Sequence, residues 1–336
     1  MTLILAIESS CDETACAVVK DGKEILSNIV SSQINVHTLY GGVVPEVASR
    51  IHVENISTVI TEALEKATVT IDDIDAIAYT KGPGLIGSLH VGVQAAKTLA
   101  WVYHKPLLPI NHMTGHIYAN AFVSELQFPL MALVVSGGHT ELVWMKNDWN
   151  FEVIGTTQDD AIGEAYDKVA RVLGLGYPGG PVVDKLAKNG KPHYSLPTPK
   201  TSDPYNFSFS GLKTAVLQLK EREERKGNVV SPEDLVYAFQ ETALTTMVSK
   251  TIAAVKEYKP KMIVLAGGVA ANSRLREMMK EEMSKVEGTE LLIPPMWCCT
   301  DNAAMIGASG QIAYNHKCFG NLDAAADPNM LMPGEK

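Results

Sequence analysis

The chain has 336 residues and a formal net charge of −9, from 29 Lys and Arg against 38 Asp and Glu. That length exceeds what one small core supports, so we expect two packed lobes or domains, and the 46% of apolar residues exclude a mainly disordered chain. The acidic balance by itself favours a small-molecule enzyme over a nucleic-acid binder, because phosphate backbones attract clustered Lys and Arg.

The predicted strands occur in two similar sets. Residues 3–7, 15–19 and 24–30 predict three successive strands, and residues 130–135, 141–145 and 151–156 repeat that order. Each half then continues with a strand, a glycine turn and a helix, at residues 74–87 and again from residue 262. This recurrence predicts a duplicated α/β domain with two lobes around a central cleft. Chance recurrence of strand–helix units is the alternative interpretation.

The remaining segments set the expected domain limits. Helical spacing of apolar residues covers 45–66 and 235–258, whereas residues 174–211 are rich in Gly, Pro, Ser and Tyr and predict loops. We place the first lobe at residues 1–110, completed by a C-terminal helix at about 303–336. The second lobe then covers residues 111–302, with a loop-rich insertion at about 174–211.

Two histidines are the first candidate site. His112 and His116 are four residues apart, which places both imidazoles on one face of a helical turn, where they can converge on a cation. A pair of surface histidines is the alternative. A zinc protease of the HExxH type is disfavoured, because Met113 stands where the catalytic Glu would follow the first histidine.

Asp301 is the carboxylate that could complete a metal site. It precedes a helix of small residues that begins near residue 303. As an N-cap it would be an ordinary structural residue, worth about 1 kcal/mol. The sequence leaves the cap and the metal ligand as open alternatives.

Glycine turns form the second candidate site. Ser136, Gly137 and Gly138 lie between two predicted strands, where backbone N–H groups can approach a phosphate or a carboxylate. Gly267 and Gly268 precede a helix, whose dipole favours an anion. A further turn at residues 176–183 ends in Asp184, a carboxylate suited to ribose hydroxyls. A P-loop is excluded, since the chain has no GxxxxGK[ST] motif.

Positive charge is concentrated in one segment. Residues 185–226 carry nine Lys or Arg and four Asp or Glu, and His193, Tyr194, Tyr205 and Phe207 are interleaved with the lysines. Because bases stack on aromatic rings and phosphates attract lysines, this segment could contact RNA. A solvated loop followed by a helix with i,i+4 ion pairs is the alternative.

The motifs as a set resemble one known family. The resemblance runs in order from residue 3 to about residue 310 and rests on residues 7–14, 42–50, 82–85, 111–116, 135–140, 163–167, 177–181 and 267–274. These are similar to TsaD, the bacterial tRNA N6-adenosine threonylcarbamoyltransferases. The resemblance implies a duplicated ASKHA fold (actin, Hsp70 and sugar-kinase-like).

The resemblance also implies the site residues. It implies that iron(II), or else zinc, is held by His112, His116 and Asp301, and that Glu13 is needed for activity. It implies that the substrate threonylcarbamoyl-AMP is bound by Val134, Val135, Ser136, Gly137, Gly138, Asp167, Gly180, Asp184 and Asn272.

The implied reaction transfers the threonylcarbamoyl group to N6 of the adenosine beside the anticodon in tRNAs reading ANN codons, with release of AMP. The implied partners are the paralogue TsaB, which pairs with the family as a heterodimer, and the ATPase TsaE. An ASKHA kinase, another ATP-driven carbamoyl transferase and a metalloprotease are the rival classes.

The amino terminus predicts no signal peptide, because no basic region precedes Glu8 and no small-residue cleavage site follows. Five cysteines without CxxC spacing disfavour a disulfide framework. We therefore expect a cytoplasmic protein that uses no membrane.

Overall fold

The computed structural model describes residues 1–333, which form ten strands and ten α-helices. The strands are β1 (Leu3–Glu8), β2 (Glu13–Lys20), β3 (Glu24–Ser32), β4 (Ala76–Gly82), β5 (Leu107–Asn111), β6 (Leu130–Val135), β7 (Thr140–Met145), β8 (Phe151–Thr156), β9 (Met262–Ala266) and β10 (Glu290–Leu292). The helices are α1 (Ile34–Thr38), α2 (Pro45–Ala67), α3 (Ile86–Tyr103), α4 (His112–Tyr118), α5 (Ile162–Val172), α6 (Gly179–Ala187), α7 (Ser210–Arg225), α8 (Pro232–Tyr258), α9 (Ser273–Met283) and α10 (Ala303–Asn315).

The chain divides into two compact units. Unit 1 contains Met1–Leu126, Asn147–Phe151 and Pro294–Lys336, and unit 2 contains Gln127–Lys146 and Glu152–Ile293. The strand order is β3-β2-β1-β4-β5 in the first sheet and β8-β7-β6-β9-β10 in the second. The two orders are the same when each sheet is counted from its own first strand. The predicted duplication of an α/β domain is therefore confirmed.

In unit 1 the sheet has helices on both faces. Alternate residues of β1 point to opposite sides, because side chains in a strand have a period of two. Ile4 and Ala6 lie in one buried cluster with residues of α10. Leu5 and Ile7 lie in a second cluster with residues of α2 and α3. Burial on both faces explains why β1 is a continuous apolar run rather than an alternating one.

Small residues let α10 approach the sheet closely. A Cβ atom at Gly307 would lie 2.5 Å from Val19 Cγ2, and one at Gly310 would lie 2.8 Å from Ala78 Cβ. The glycines are thus required by packing, and α10 lies against β1, β2 and β4 as the completing helix of this unit. The helix expected at about 303–336 is shorter than predicted, because α10 ends at Asn315. Residues 334–336 of that prediction lie outside the described residues.

In unit 2 the central strands β6, β7 and β9 are buried along their whole length. The long helix α8 begins where Ser231 accepts a hydrogen bond from Asp234 N and Pro232 occupies the first turn. It ends at Lys259, which adopts a left-handed conformation directly before Pro260. This helix matches the predicted one at residues 235–258.

The unit limits differ from the expected lobe limits. Residues 111–126 belong to unit 1, although we expected the second lobe to begin at residue 111. The cause is the packing of α4 on α10, where Thr114 Oγ1 and Ser309 Oγ lie 2.9 Å apart. Residues 294–302 also belong to unit 1, so the second unit ends at Ile293, before the expected limit at residue 302.

The segment predicted as loops, residues 174–211, contains a helix. Helix α6 begins after Pro178, which is extended and acts as N-cap. Its first residue is packed so tightly that a Cβ at Gly179 would lie 2.7 Å from Asp167 Cα. Glycine and proline here start a helix rather than prevent one, because Pro is tolerated in a first turn. Within the described chain, no helix combines the length and apolar character needed to span a bilayer.

Candidate active site

The two candidate metal-ligating histidines lie in α4, directly after β5. Asn111 caps this helix, because its side chain accepts hydrogen bonds from Met113 N at 2.8 Å and Thr114 N at 3.4 Å. His112 and His116 are 6% and 1% exposed. The alternative of two surface histidines is therefore wrong. Buried imidazoles need polar partners, and each points its Nε2 atom at the same place.

Asp301 is not the cap of α10. Asn302 has that role, since its side chain accepts from Met305 N at 3.2 Å. The carboxylate of Asp301 instead faces the histidines, with Oδ1 at 3.1 Å from His116 Nε2 and 3.4 Å from His112 Nε2. Of the two open alternatives for Asp301, the structure excludes the cap.

These three side chains form a group that could bind a metal ion. The Nε2 atoms of His112 and His116 are 3.1 Å apart, and the three candidate ligand atoms all lie within 4.8 Å of one another. Two imidazoles and one carboxylate are a usual donor set for zinc or iron(II), with positions left for other ligands. All three residues belong to unit 1.

In the metal-free protein, a proton on the histidines balances the negative charge of the carboxylates in this group. Burial alone would raise the pKa of Asp301, but His112 and His116 outweigh it and hold that pKa well below its usual range. Burial would lower the pKa of His112, yet the carboxylates of Glu8 and Asp301 raise it well above the ordinary histidine value. The group thus requires positive charge between its carboxylates, and a divalent cation could supply it in place of the proton.

Glu8 is part of this group, and our sequence interpretation gave it no role. Its side chain is 1% exposed and accepts a hydrogen bond from His112 Nδ1 at 2.8 Å. The sequence gives one indication of this role, which is that Glu8 ends a strand of otherwise apolar residues. A charge buried at such a position needs a polar or charged partner.

Glu13, the residue expected to be catalytic, begins β2 in the same unit. Its Oε1 atom accepts a hydrogen bond from Ser32 Oγ at 3.1 Å. Burial, together with the negative charges of Asp301 and Asp12, raises the pKa of Glu13 to about 9. Without a cation nearby, this side chain therefore carries a proton at neutral pH.

In unit 2 the predicted anion site is the turn between β6 and β7. Val134 and Val135 are buried at the end of β6. The turn is closed by Ser136, whose N donates to His139 O at 2.8 Å and whose Oγ accepts from His139 N at 3.1 Å. Gly137 and Gly138 are exposed, and an added Cβ at either would meet nothing within 4 Å.

The glycine N–H groups of this turn are available to a ligand. Among residues 1–333, neither Gly137 N nor Gly138 N donates a hydrogen bond. Consecutive backbone N–H groups in a turn form a concave site for anions. Helix α5 fixes the turn from behind, because Gly163 N donates to Ser136 O at 3.2 Å.

The other predicted substrate residues tie the helices of unit 2 together. Asp167 Oδ1 accepts from Gly179 N at 2.7 Å, next to Gly180 in the first turn of α6. Asp184 accepts from Ser273 N at 3.1 Å and from Ser273 Oγ at 3.0 Å, at the first residue of α9. Asp167 and Asp184 therefore hold the starts of α6 and α9.

Asn272 caps α9 and also joins a buried polar network. Its Oδ1 accepts from Leu275 N at 2.9 Å, and its Nδ2 donates to Gln240 Oε1 at 3.0 Å and to Tyr166 Oη at 3.3 Å. Burial raises the pKa of Tyr166 well above its ordinary value, so its hydroxyl keeps its proton for Gln240.

The basic segment 185–226 is only partly as expected. Tyr205 is 9% exposed and Phe207 is fully buried, so neither ring can stack on a base as we expected. Phe207 is buried because its backbone pairs beside β8, donating to Thr156 O at 2.9 Å.

In α7 the charges pair with each other, Lys220 with Glu224 at 2.6 Å and Arg225 with Glu221 at 3.1 Å, as in the alternative interpretation. Among residues 1–333, four exposed lysines of this segment make no ion pair; they are Lys185, Lys188, Lys191 and Lys200.

Comparison with known proteins agrees with the geometry. Residues 24–308 match the family model described as TsaD, tRNA N6-adenosine threonylcarbamoyltransferase. A curated tRNA N6-adenosine threonylcarbamoyltransferase of Bacillus cereus is 54% identical over 330 residues, covering 98% of this chain and 96% of the relative. The one from Bacillus subtilis is 55% identical over 328 residues, covering 97% and 95%.

The solved structures show the fold. The crystal structure of HypF from T. kodakarensis matches 94% of this chain and 48% of its own length, with a TM-score of 0.65 at 14% identity. Such neighbours are of the ASKHA type, which confirms the expected fold class of two related α/β lobes. From the family match and the near full-length identities, the chain belongs to the TsaD family of tRNA N6-adenosine threonylcarbamoyltransferases.

Proposed function

We propose that this chain transfers the threonylcarbamoyl group of threonylcarbamoyl-AMP to N6 of the adenosine beside the anticodon, in tRNAs that read codons beginning with A. The observation that carries the proposal is the 54% identity, over 98% of the chain, to an enzyme named for N6-adenosine threonylcarbamoyl transfer. The donor and the position of the adenosine come from the family resemblance described above.

The reaction needs positioning more than covalent catalysis. The donor is a mixed anhydride of a carbamate and a phosphate, so its carbonyl carbon is already activated. The adenine N6 attacks that carbon, the bond from carbon to the phosphate oxygen breaks, AMP leaves, and N6 loses one proton. Because N6 is a weak nucleophile, we expect alignment of the two substrates and stabilisation of the leaving phosphate to supply most of the rate.

We infer that His112, His116 and Asp301 hold one divalent metal ion, iron(II) or zinc. The fit is supported by the donor set, by its burial, and by the positive charge that Glu8 and Asp301 require between them. When bound, such an ion supplies Lewis-acid stabilisation of substrate oxygens. The protein's own contribution is to present three ligand atoms from two helix starts, α4 and the residue before the cap of α10.

The rival protease interpretation lacks its base. Met113 follows the first histidine and is 3% exposed, so no carboxylate stands at the position that would activate a water.

In unit 2 we propose that the turn at Ser136, Gly137 and Gly138 binds oxygens of the adenylate through its N–H groups. Two observations support this role: the N–H groups of Gly137 and Gly138 donate no hydrogen bond within residues 1–333, and the space above both glycines is open. Val134 and Val135 would form the apolar end of β6 beneath the bound group.

Asp167, Gly180 and Asp184 would contact the nucleoside. A carboxylate has about four acceptor sites, and the bonds to Gly179 N and Ser273 leave others free for ribose hydroxyls. Asn272 would reach the substrate by exchanging its 3.3 Å bond to Tyr166, the longer of its two donations.

Glu13 is the proposed catalytic carboxyl of unit 1. Its raised pKa of about 9 makes it a hydrogen-bond donor at neutral pH before a cation is present. Replacement by Ala should lower kcat by about 100-fold, the usual scale for one positioned acid or base, and leave metal content unchanged. Equal loss of metal and activity would instead assign Glu13 to the metal group.

We further propose that the chain works in the cytoplasm with a TsaB-type paralogue and a TsaE-type ATPase. An acidic chain needs positive charge from elsewhere to hold tRNA, and partners or the four unpaired lysines of residues 185–200 would supply it.

The proposal is tested by supplying threonylcarbamoyl-AMP, the two partner proteins and an unmodified tRNA, and looking for modified adenosine by mass spectrometry. We expect product with the natural tRNA and none when the adenosine beside the anticodon is replaced by guanosine. His112→Ala is the matched protein control: His112 belongs to unit 1, and we expect this variant to give little or no modified adenosine. Kinase turnover or peptide cleavage without modified adenosine would contradict the proposal.

A further inference from the structure

Glu8 is held by hydrogen bonds on both of its oxygens at the metal group of unit 1. Its Oε2 atom accepts from His112 Nδ1 at 2.8 Å and from Thr80 Oγ1 at 2.6 Å, and its Oε1 accepts from Ser10 N at 2.5 Å. Ser10 Oγ lies 3.2 Å from the same His112 nitrogen. A side chain 1% exposed with both oxygens engaged cannot change rotamer without breaking several of these bonds.

These hydrogen bonds decide which nitrogen of His112 carries a hydrogen. An ionised carboxylate only accepts hydrogen bonds, so the atom that faces it, Nδ1, must donate. The other nitrogen, Nε2, points at the remaining members of the group, 3.1 Å from His116 Nε2 and 3.4 Å from Asp301 Oδ1.

The two histidines differ in this respect. His116 Nδ1 is buried and has no hydrogen-bond partner within residues 1–333. His112 is therefore held by a carboxylate at its Nδ1 atom, whereas His116 has polar neighbours, among the described residues, at its Nε2 atom only.

We propose that Glu8 is a positioning residue of the metal centre, which holds His112 with its hydrogen on Nδ1 and leaves Nε2 free to bind the ion. This inference rests on the proposed role of His112, His116 and Asp301 as metal ligands. Carboxylates that accept from a ligating histidine fix its orientation and raise its basicity, and their loss typically costs about 10- to 100-fold in affinity.

Glutamine cannot replace Glu8 in this position, although it has nearly the same shape. An amide nitrogen at the Oε1 place would face the Ser10 N–H, which is also a donor. At the Oε2 place it would donate to His112 Nδ1 and thereby move the imidazole hydrogen to Nε2, the atom that must bind the ion. The first orientation keeps an oxygen on His112 Nδ1 but sets two donors against each other at Ser10, which weakens the hold on the side chain; the second directly opposes metal binding.

The test measures Co²⁺ affinity of the full chain by competition with a chelator, with the visible absorption of the bound ion as a second readout. We expect Glu8→Gln to bind Co²⁺ about 10- to 100-fold more weakly than the wild type and with an altered absorption spectrum. Thr80→Val is the matched control, because it removes one bond to Glu8 but keeps the carboxylate; its affinity should lie closer to that of the wild type.

Two results separate this inference from the function on which it rests. Wild-type affinity and spectrum in Glu8→Gln would overturn the role of Glu8 while leaving the metal centre intact. A wild-type chain that does not bind Co²⁺ would overturn the metal centre itself.

A measurement on the unaltered protein covers the case in which Glu8→Gln does not fold. In the Zn²⁺-loaded wild type, ¹⁵N–¹H correlation spectra should show His112 with its hydrogen on Nδ1. A hydrogen on Nε2 would overturn the proposal.

Discussion

The hairpin at the same position in the two sheets has acidic residues in unit 1 and free N–H donors in unit 2. Residues 9–12 join β1 to β2 in unit 1, and residues 136–139 join β6 to β7 in unit 2; each is a four-residue hairpin beside the central strand of its sheet. The first is preceded by the buried carboxylate of Glu8 and followed by Glu13. The second contains Gly137 and Gly138 with undonated N–H groups.

This difference shows how a duplicated scaffold acquires two specificities. The strand order fixes where each hairpin lies, while the residues at its ends decide the sign of the ligand. Carboxylates and imidazoles buried together are costly unless a cation joins them. Bare N–H groups in a turn instead favour a phosphate or a carboxylate. Substitutions can therefore alter one hairpin and leave the other as it is.

Removing the histidines should have the largest effect. We expect His112→Ala or His116→Ala to lose most of the bound metal and to lower kcat/KM by at least about 100-fold, since a metal site with two protein ligands holds its ion poorly. Metal analysis of the purified protein and the tRNA assay measure both. His90→Ala, an exposed histidine of the same unit, is the control and should match the wild type. Unchanged metal content in both variants would refute the assignment.

A methyl group in the glycine turn should have the next largest effect. Gly138→Ala adds a Cβ that meets nothing in the protein, so thermal stability should stay unchanged. The methyl would occupy space needed by an anionic oxygen, and loss of one charged hydrogen bond corresponds to a KM for the adenylate about 10- to 100-fold higher.

The control for this variant is Gly211→Ala, which also places its Cβ in open space but lies at the start of α7. Equal KM values for Gly138→Ala and Gly211→Ala would contradict the proposal that the turn of unit 2 binds an anionic group of the substrate. The two units would then no longer differ in the sign of their ligands.

Reversing charge on the exposed lysines should have a smaller effect. Lys188→Glu and Lys191→Glu together should weaken tRNA binding several-fold and reduce its dependence on salt, by about one unit in the logarithmic slope for each phosphate that a lysine no longer neutralises. Binding measured at several salt concentrations checks this. Lys280→Glu, another exposed lysine of unit 2, is the control. An unchanged slope would favour the alternative interpretation, in which these lysines are only solvated and contact no RNA.

The strands and the duplication followed from the sequence because burial on both faces of β1 and β6 produces unmistakable apolar runs. The facing pair of histidines followed from their spacing. For Asp301 the sequence left the cap and the metal ligand as alternatives, because Asp and Asn are both good caps and only the folded chain shows that Asn302 caps α10.

Long-range pairing accounts for the other differences. Phe207 lies in a polar segment that predicted exposure, yet it bridges to Thr157 beside the sheet and is fully buried. Helix α6 was hidden by two glycines and a proline, which its first turn tolerates because α5 packs against it closely. Glu8 was missed because its partners, Thr80 and His112, are distant in sequence.

The last expected effect concerns the pH dependence of stability in the metal-free protein. Burial and the charges of Asp301 and Asp12 raise the pKa of Glu13 to about 9, above the 4.5 of an ordinary Glu. Between those values the folded chain keeps a proton that the unfolded chain releases, so stability falls as pH rises. Glu13→Gln removes this pH-dependent contribution to stability. The melting temperature of the variant, relative to that of the wild type, should therefore rise steadily from about pH 6 to about pH 9.

The same series in the presence of Co²⁺ links this effect to the contrast between the two hairpins. A cation beside Asp301 offsets the negative charge that raises the pKa of Glu13, so the advantage of Glu13→Gln should shrink when metal is bound. Gly138→Ala should show no such dependence on pH or metal, because no carboxylate in the described part of the chain accepts from Gly137 N or Gly138 N. A constant difference between Glu13→Gln and the wild type across the pH range would show that Glu13 is already ionised, and that unit 1 tolerates its carboxylates without a cation.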